Sequence, residues 1–149
     1  MKYTHIRVAA RAIILEDDNL LLVNAYATGV SDLWCAPGGG VDKGSSLPEN
    51  LAREVFEETG LTVDVGAPCL VNEFHEPDTG FHQVEVFFRC TITKGKLDGA
   101  WVDPEHIVSE RRFFSRDDAS KVRSKPDSLV HVAWGETSLS YDPLEVIEK

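Results

Sequence analysis

The sequence predicts an α/β fold: a mixed β-sheet flanked by helices on both faces. Three observations carry this. Stretches rich in β-branched and aromatic residues alternate with stretches of helical spacing. Some strand pairs are joined by short turn clusters, as hairpins, and others by crossovers that contain a helix. The 149 residues fit one domain, spanning 1–149, with a core of useful size.

The elements follow in order. Val8 to Leu15 is apolar and β-rich, Glu16-Asp17-Asp18-Asn19 is a turn cluster, and Leu20 to Val23 returns as a second strand. Alternation puts Arg7, Ala9, Arg11 and Ile13 on one face of the first strand, and Val8, Ala10, Ala12 and Ile14 on the other. The two arginines form either a solvated face or a lining that meets an anionic substrate. Gly38-Gly39-Gly40 reads as a turn whose backbone can approach a ligand closely. Ser46 to Thr59 is a helix. Ser46 and Glu49 make a capping box, Leu47, Leu51 and Val55 form an apolar stripe, and Gly60 sits at C′. Leu61 to Val65 and Leu70 to Phe74 read as two short strands, Glu76 to Gly80 as a turn, and Val84 to Thr93 as the strongest strand. Glu110 to Ser115 is a short strand, and Ser115 to Val122 and Asp127 to Trp134 are short helices. The tail from Gly135 carries no clear pattern.

A formal net charge of −10 repels a nucleic-acid backbone, so no nucleic-acid polymer is expected as a partner. No apolar run approaches the ~18 residues of a membrane span, and the N-terminus does not resemble a signal peptide. Cys35, Cys69 and Cys90 show no metal-binding spacing; an odd count fits free thiols in a reducing cytoplasm. The expected partner is a small phosphorylated molecule, and a homodimer is left open.

One stretch breaks a local rule. Arg53-Glu54-Val55-Phe56-Glu57-Glu58-Thr59-Gly60-Leu61 ends a well-capped helix with three glutamates, where the helix dipole favours cations. At ~100° per residue, Glu54, Glu57 and Glu58 fall within a sector of about 100°. Carboxylates so crowded do not all ionise unaided, and a divalent cation relieves them. Mg²⁺ takes oxygen ligands and is commonly completed by water and substrate phosphates. The glycine turn beside the helix can add a backbone carbonyl, and Arg53 can hold a carboxylate four residues on.

Gly39, position 45 and Arg53 through Leu61 together resemble the Nudix box, and Leu33-Trp34-x-x-Pro37-Gly38-Gly39-Gly40 extends the likeness upstream. Arg111 to Ser115 resembles a strand and helix entry common in that family. The resemblance implies an α/β/α sandwich that hydrolyses a nucleoside diphosphate linked to another group, with Mg²⁺ or Mn²⁺ as cofactor. It implies Glu54, Glu57, Glu58 and the backbone carbonyl of Gly38 or Gly39 as metal ligands, and Glu57, Glu54 and Arg53 as catalytic residues. Arg7 and Arg11, by strand alternation, and Gly39 and Gly40, by close backbone approach, are the candidates against the substrate. Glu105 and Glu110 are candidates for a further acid. The family's pattern has Glu where this chain has Ser45, and Asp42 and Glu49 are the acids placed to compensate. His75, His82, Trp34, Phe74, Phe81 and Tyr26 are candidates for substrate contact. Ser45 leaves a nucleotide-sensing module as an alternative, and Cys35 a diphosphate isomerase as a third.

Overall fold

The computed structural model describes residues 2–136 and 138–149. Its elements are β1 (Arg7–Glu16), β2 (Asn19–Asn24), β3 (Leu33–Cys35), β4 (Gly38–Gly40), α1 (Leu47–Thr59), β5 (Thr62–Glu76), β6 (Phe81–Lys94), β7 (Glu110–Phe114), α2 (Arg116–Lys121), β8 (Arg123–Lys125), α3 (Leu129–Trp134) and β9 (Ser140–Val146).

Strand β1 organises the sheet. It runs parallel to β6 from Arg7 to Ile14. On its other edge it changes partner along its length: Ala9 to Arg11 pair with the glycines of β4, and Leu15 and Glu16 pair with β2. The sheet order is β8-β3-β2-β1-β6-β5-β9, with β7 also on β2. The β1–β2 turn uses Asp17 and Asp18, both at positive φ, which suits a tight hairpin.

Alternation in β1 holds as read. Ala10, Ala12 and Ile14 pack with Leu51 and Val55 of α1, together with Leu21, Phe88 and Cys90. On the other face Ile13 joins Leu20, Leu22, Leu70, Phe87 and Phe114 beneath Ala119 of α2 and Leu129, Val132 and Ala133 of α3. Helices thus cover both faces, and the fold is an α/β/α sandwich.

Several boundaries differ from the sequence reading, each for a physical reason. The strands expected at 61–65 and 70–74 are one strand, β5. Register shifts around Pro68 absorb the residues that looked like a break, and β6 pairs across them. The glycine turn is itself a strand, β4, because glycine lets its backbone lie directly against β1. Strands β3 and β8 span three residues each, too few to show a period. The tail pairs parallel to β5 as β9, half exposed, so its sequence carries no apolar run. Helix α3 starts at Leu129, two residues after the expected Asp127.

The caps of α1 are those expected. The Ser46 hydroxyl accepts from the Glu49 N–H at 3.2 Å, and Gly60 is left-handed at φ 76°. The last turn of the helix holds no basic residue. The cation it lacks comes from β7. Arg111 donates from Nε to the Glu58 carbonyl at 2.6 Å, and from its other nitrogens to the carbonyls of Trp101 and Val108. The Trp101 indole donates to the Glu57 carbonyl at 2.9 Å. Two carbonyls orphaned at the helix end are thereby satisfied.

Two stability predictions follow from this framework. Arg111→Met should lower unfolding free energy by about 2 kcal/mol in urea titrations, since it strands charge-assisted acceptors. Gly38→Ala should cost about 3 kcal/mol by the same measurement. Gly38 sits at φ 146°, and a Cβ there would overlap the Ala10 carbonyl oxygen, which is backbone and cannot move aside.

Candidate active site

The glycine strand lies between the acidic end of α1 and β1. The Gly38 N–H donates to Glu58 Oε2 at 3.0 Å, which ties the helix to the strand. Gly39 faces Glu54: an added Cβ would stand 3.1 Å from the Glu54 carboxylate. Arg7 lies over Gly40, where any Cβ would overlap its guanidinium. Gly39 and Gly40 therefore clear space for two charged side chains, and Gly38 for the backbone of β1.

Arg53 gathers the rest of the cluster. It donates to Glu57 Oε1 at 2.9 Å, to Asp42 Oδ2 at 3.0 Å, to Asn50 Oδ1 at 3.1 Å and to Glu54 Oε1 at 3.4 Å. Of the two acids placed to compensate for Ser45, Asp42 therefore reaches Arg53. Glu49 instead uses its N–H at the Ser46 cap. Ser45 bonds only locally, from its N–H to the Asp42 carbonyl and from its hydroxyl to the Ser46 carbonyl. Asn50, missed in the sequence, is buried and fastens both sides: its Nδ2 donates to the Gly40 carbonyl, and its Oδ1 accepts from the Asp42 N–H. Its only sequence signal is a polar side chain next to the apolar stripe.

The electrostatics are those of a site short of positive charge. Burial raises the Glu58 pKa to about 8, against the opposing pull of Arg11 and the Gly38 N–H. Burial also raises Glu54; Arg53 opposes this, and Glu57 and Glu105 add to it. Glu57 Oε2 is buried with no hydrogen-bond partner. Among the described residues, no three His, Cys, Asp or Glu side chains stand close enough to hold a metal ion as placed. Arg53 and the Gly38 N–H hold the carboxylates instead. The donor set still fits a hard divalent cation: it is all oxygen, it holds an orphaned carboxylate oxygen, and burial makes two of its acids reluctant to ionise alone. The Gly38 carbonyl, also expected as a ligand, accepts from Arg11 at 3.2 Å.

The two arginines of β1 differ: Arg11 is mostly buried and Arg7 is exposed. Arg11 donates from Nε to Glu85 Oε2 at 2.6 Å, and from Nη1 to the Ala36 and Gly38 carbonyls. Burial, the largest single influence, lowers its pKa, but Glu85, Cys35 and Glu58 together outweigh it and the net shift is upward. Arg7 is exposed and donates to Gln83 Oε1, while Gln83 Nε2 donates to Glu85 Oε2. Glu85 and Gln83 lie on the face of β6 that alternation marks as polar, yet both are buried. Arg11 and Glu85 border a cavity of about 270 Å³, whose walls include Tyr26, Phe74 and Lys125. The far wall belongs to the tail. Lys125 pairs with Glu145 and Glu148, and Arg123 with Glu148, joining β8 to β9 and the residues after it.

The remaining candidates separate. Glu105 is near enough to raise Glu54, and sits in a turn built on buried Asp103, which accepts from the N–H groups of Glu105, Ile107 and Val108. Glu110 is an exposed residue of β7 paired with Asn24. Tyr26 and Phe74 line the cavity, whereas Trp34 packs on Phe114 and Phe81 on Tyr3. His75 and His82 lie side by side on β5 and β6, with His82 facing Glu73. All three cysteines are free, and burial pushes the Cys35 thiol up to about 11, which leaves it unsuited to acid–base work near neutrality. No helix among the described residues is long and apolar enough to cross a membrane.

Comparison with known proteins agrees with this geometry. The NUDIX domain family matches residues 5–134. An ADP-ribose pyrophosphatase of Methanocaldococcus jannaschii is 30% identical over 128 residues, covering 86% of this chain and 73% of that protein. Diphosphoinositol polyphosphate phosphohydrolase 2 of Rattus norvegicus is 34% identical over 107 residues, 72% of this chain. The chain spans 55% of that rat protein's length and 56% of a putative ADP-ribose pyrophosphatase of Bacillus subtilis. The fold is shared with a mutator MutT protein from Bacillus halodurans, at TM-score 0.74 and 22% identity, covering 92% of this chain and 88% of that one. It is shared also with a UDP-X diphosphatase, at TM-score 0.70 and 21% identity, covering 94% and 68%. The relatives are named as pyrophosphatases and phosphohydrolases, and the family generally uses divalent metals. With its box helix, glycine strand and sandwich in place, the chain belongs to the NUDIX domain family.

Proposed function

We propose that residues 1–149 form one hydrolase domain that cleaves the diphosphate bridge of a nucleoside diphosphate derivative, such as ADP-ribose, or of a nucleoside triphosphate, in the cytoplasm. The observation that carries this is the acidic end of α1. Glu54 and Glu58 meet the glycine strand there, and Glu57 beside them has a buried carboxylate oxygen with no partner. Mg²⁺, or Mn²⁺ in its place, fits Glu54, Glu57 and Glu58, with the Gly38 carbonyl close by. When bound, the ion supplies charge to the diphosphate oxygens and acidifies the attacking water.

The chain's own residues position and neutralise. Arg53 fixes the rotamers of Glu54 and Glu57, while Asp42 and Asn50 fix Arg53. Arg11, at the seam between the cavity and β4, meets the negative charge of a diphosphate that spans the two. Arg7, lying over Gly40, and the Gly39 backbone beside Glu54 flank the same path. Glu105 brings a further acid toward Glu54. Phosphoryl chemistry of this kind needs positioning and charge more than a protein nucleophile. Asp42 on Arg53 also weakens the sensing alternative, since the arginine keeps an acid despite Ser45.

Incubation with Mg²⁺ and ADP-ribose or a nucleoside triphosphate should yield nucleoside monophosphate; binding without that product would refute the proposal. Glu57→Gln should reduce kcat/KM by about 100-fold or more, while melting near the wild-type temperature. Glu58 gives a pH test in chelator. Its folded pKa, about 8, lies above the ordinary carboxylate value, so the fold binds its proton more tightly than the unfolded chain does. Its contribution is present below about pH 4.5 and is lost as pH rises through 8. Urea midpoints of wild type should therefore fall between pH 5 and pH 8 relative to Glu58→Gln, which keeps an acceptor for the Gly38 N–H.

A further inference from the structure

The cavity beside Arg11 holds a polar group that the proposed chemistry does not use. Asn72 is 3% exposed, lines the cavity, and its Oδ1 is buried without a hydrogen-bond partner. A buried amide oxygen left unpaired is costly and uncommon. Asn72 lies directly opposite Glu85 across the β5–β6 ladder, so their Cβ atoms are about 5 Å apart on the same face. Glu85, 5% exposed, takes both Arg11 and Gln83 on its Oε2.

The charged donors around this floor, Arg11 and Lys125, already have partners. Arg11 is bound to Glu85 and to the Ala36 and Gly38 carbonyls. Lys125 is held by Asp127 and Glu145. What remains open is acceptor capacity: the Asn72 oxygen, with carboxylates at Glu85, Glu145 and Glu148 around the same space. Tyr26 and Phe74 add aromatic walls. A ligand that satisfies this lining is flat and brings N–H donors.

We propose that Asn72 is a specificity-determining residue that selects an amino-bearing nucleobase, adenine, guanine or cytosine, over uracil and thymine. This rests on the reading above that the substrate is a nucleotide. An exocyclic amine offers two N–H groups, one for Asn72 and one for the neighbouring Glu85, and guanine adds its ring N–H. Uracil and thymine offer one ring N–H flanked by carbonyls, so a carbonyl oxygen would face Glu85. A site built around unpaired acceptors discriminates strongly against a ligand that leaves them unpaired.

The test is calorimetric titration of AMP, GMP, CMP, UMP and dTMP into the Mg²⁺-loaded protein. At least one amino-bearing nucleotide should bind about 10-fold tighter than UMP and dTMP. Asn72→Leu should shrink that ratio to about 2-fold, and Asn72→Asp, which keeps acceptor oxygens at the same place, should retain it. Asn72→Ala, which only removes atoms, replaces Asn72→Leu if the latter does not fold. Equal binding of UMP by wild type, an unchanged ratio in the folded Leu or Ala variant, or no binding of any of the five would overturn the assignment. Turnover is scored separately. Hydrolysis without base preference sinks this inference alone, and base preference without hydrolysis sinks the proposed activity alone.

Discussion

The Gly38 peptide is the joint on which the structure turns. Its N–H holds the Glu58 carboxylate, and its carbonyl accepts from Arg11. Its backbone is also paired to β1 through the Gly38–Arg11 register. One residue, through the two peptide units it joins, therefore sets the distance between the acidic helix, the central strand and the cavity floor. The positive φ, and the Ala10 oxygen occupying the place of a side chain, explain why glycine stands there. The same closeness explains why the carboxylate beneath it is buried enough to keep its proton near neutrality.

Around that joint, charge is distributed in two layers. Arg53, Asp42 and Asn50 brace the outer acids from the solvent side, where ion pairs contribute little to stability but fix geometry. Arg11, Glu85 and Gln83 form a buried row on the inner side, where an unmatched group is expensive. The helix end between them would be electrostatically awkward alone. Arg111 and Trp101 reach it from β7 and the preceding loop and take its free carbonyls. Glu54, Glu57 and Glu58 are thereby left to Arg53 and the Gly38 N–H, on a helix whose own dipole is answered elsewhere.

Much of this was legible in the sequence because it is local. The cap at Ser46, the left-handed Gly60, the apolar stripe of α1 and the alternation of β1 each depend on neighbours a few positions away. Crowding of Glu54, Glu57 and Glu58 is a property of helical spacing, so it too could be read. The rest depends on distant partners. Glu85 and Gln83 look like the wet side of a strand until the curl of the sheet buries them. Asn72 sits in a segment whose continuity across Pro68 exists only through its pairing with β6. Asp103 is one acid among many until three N–H groups converge on it. The role of Arg111 as a cap for α1 bridges elements far apart in the chain, where no periodicity reports it.

Strand β9 joins the sheet beside β5, and the residues after it reach Arg123 and Lys125 to finish the cavity wall. During synthesis, the helix bearing the glutamates, the glycine strand and β6 all emerge before that wall does. A nascent chain can thus assemble the acidic centre while the recess for the ligand is still an open trough. In order of emergence, the wall that closes the cavity comes last.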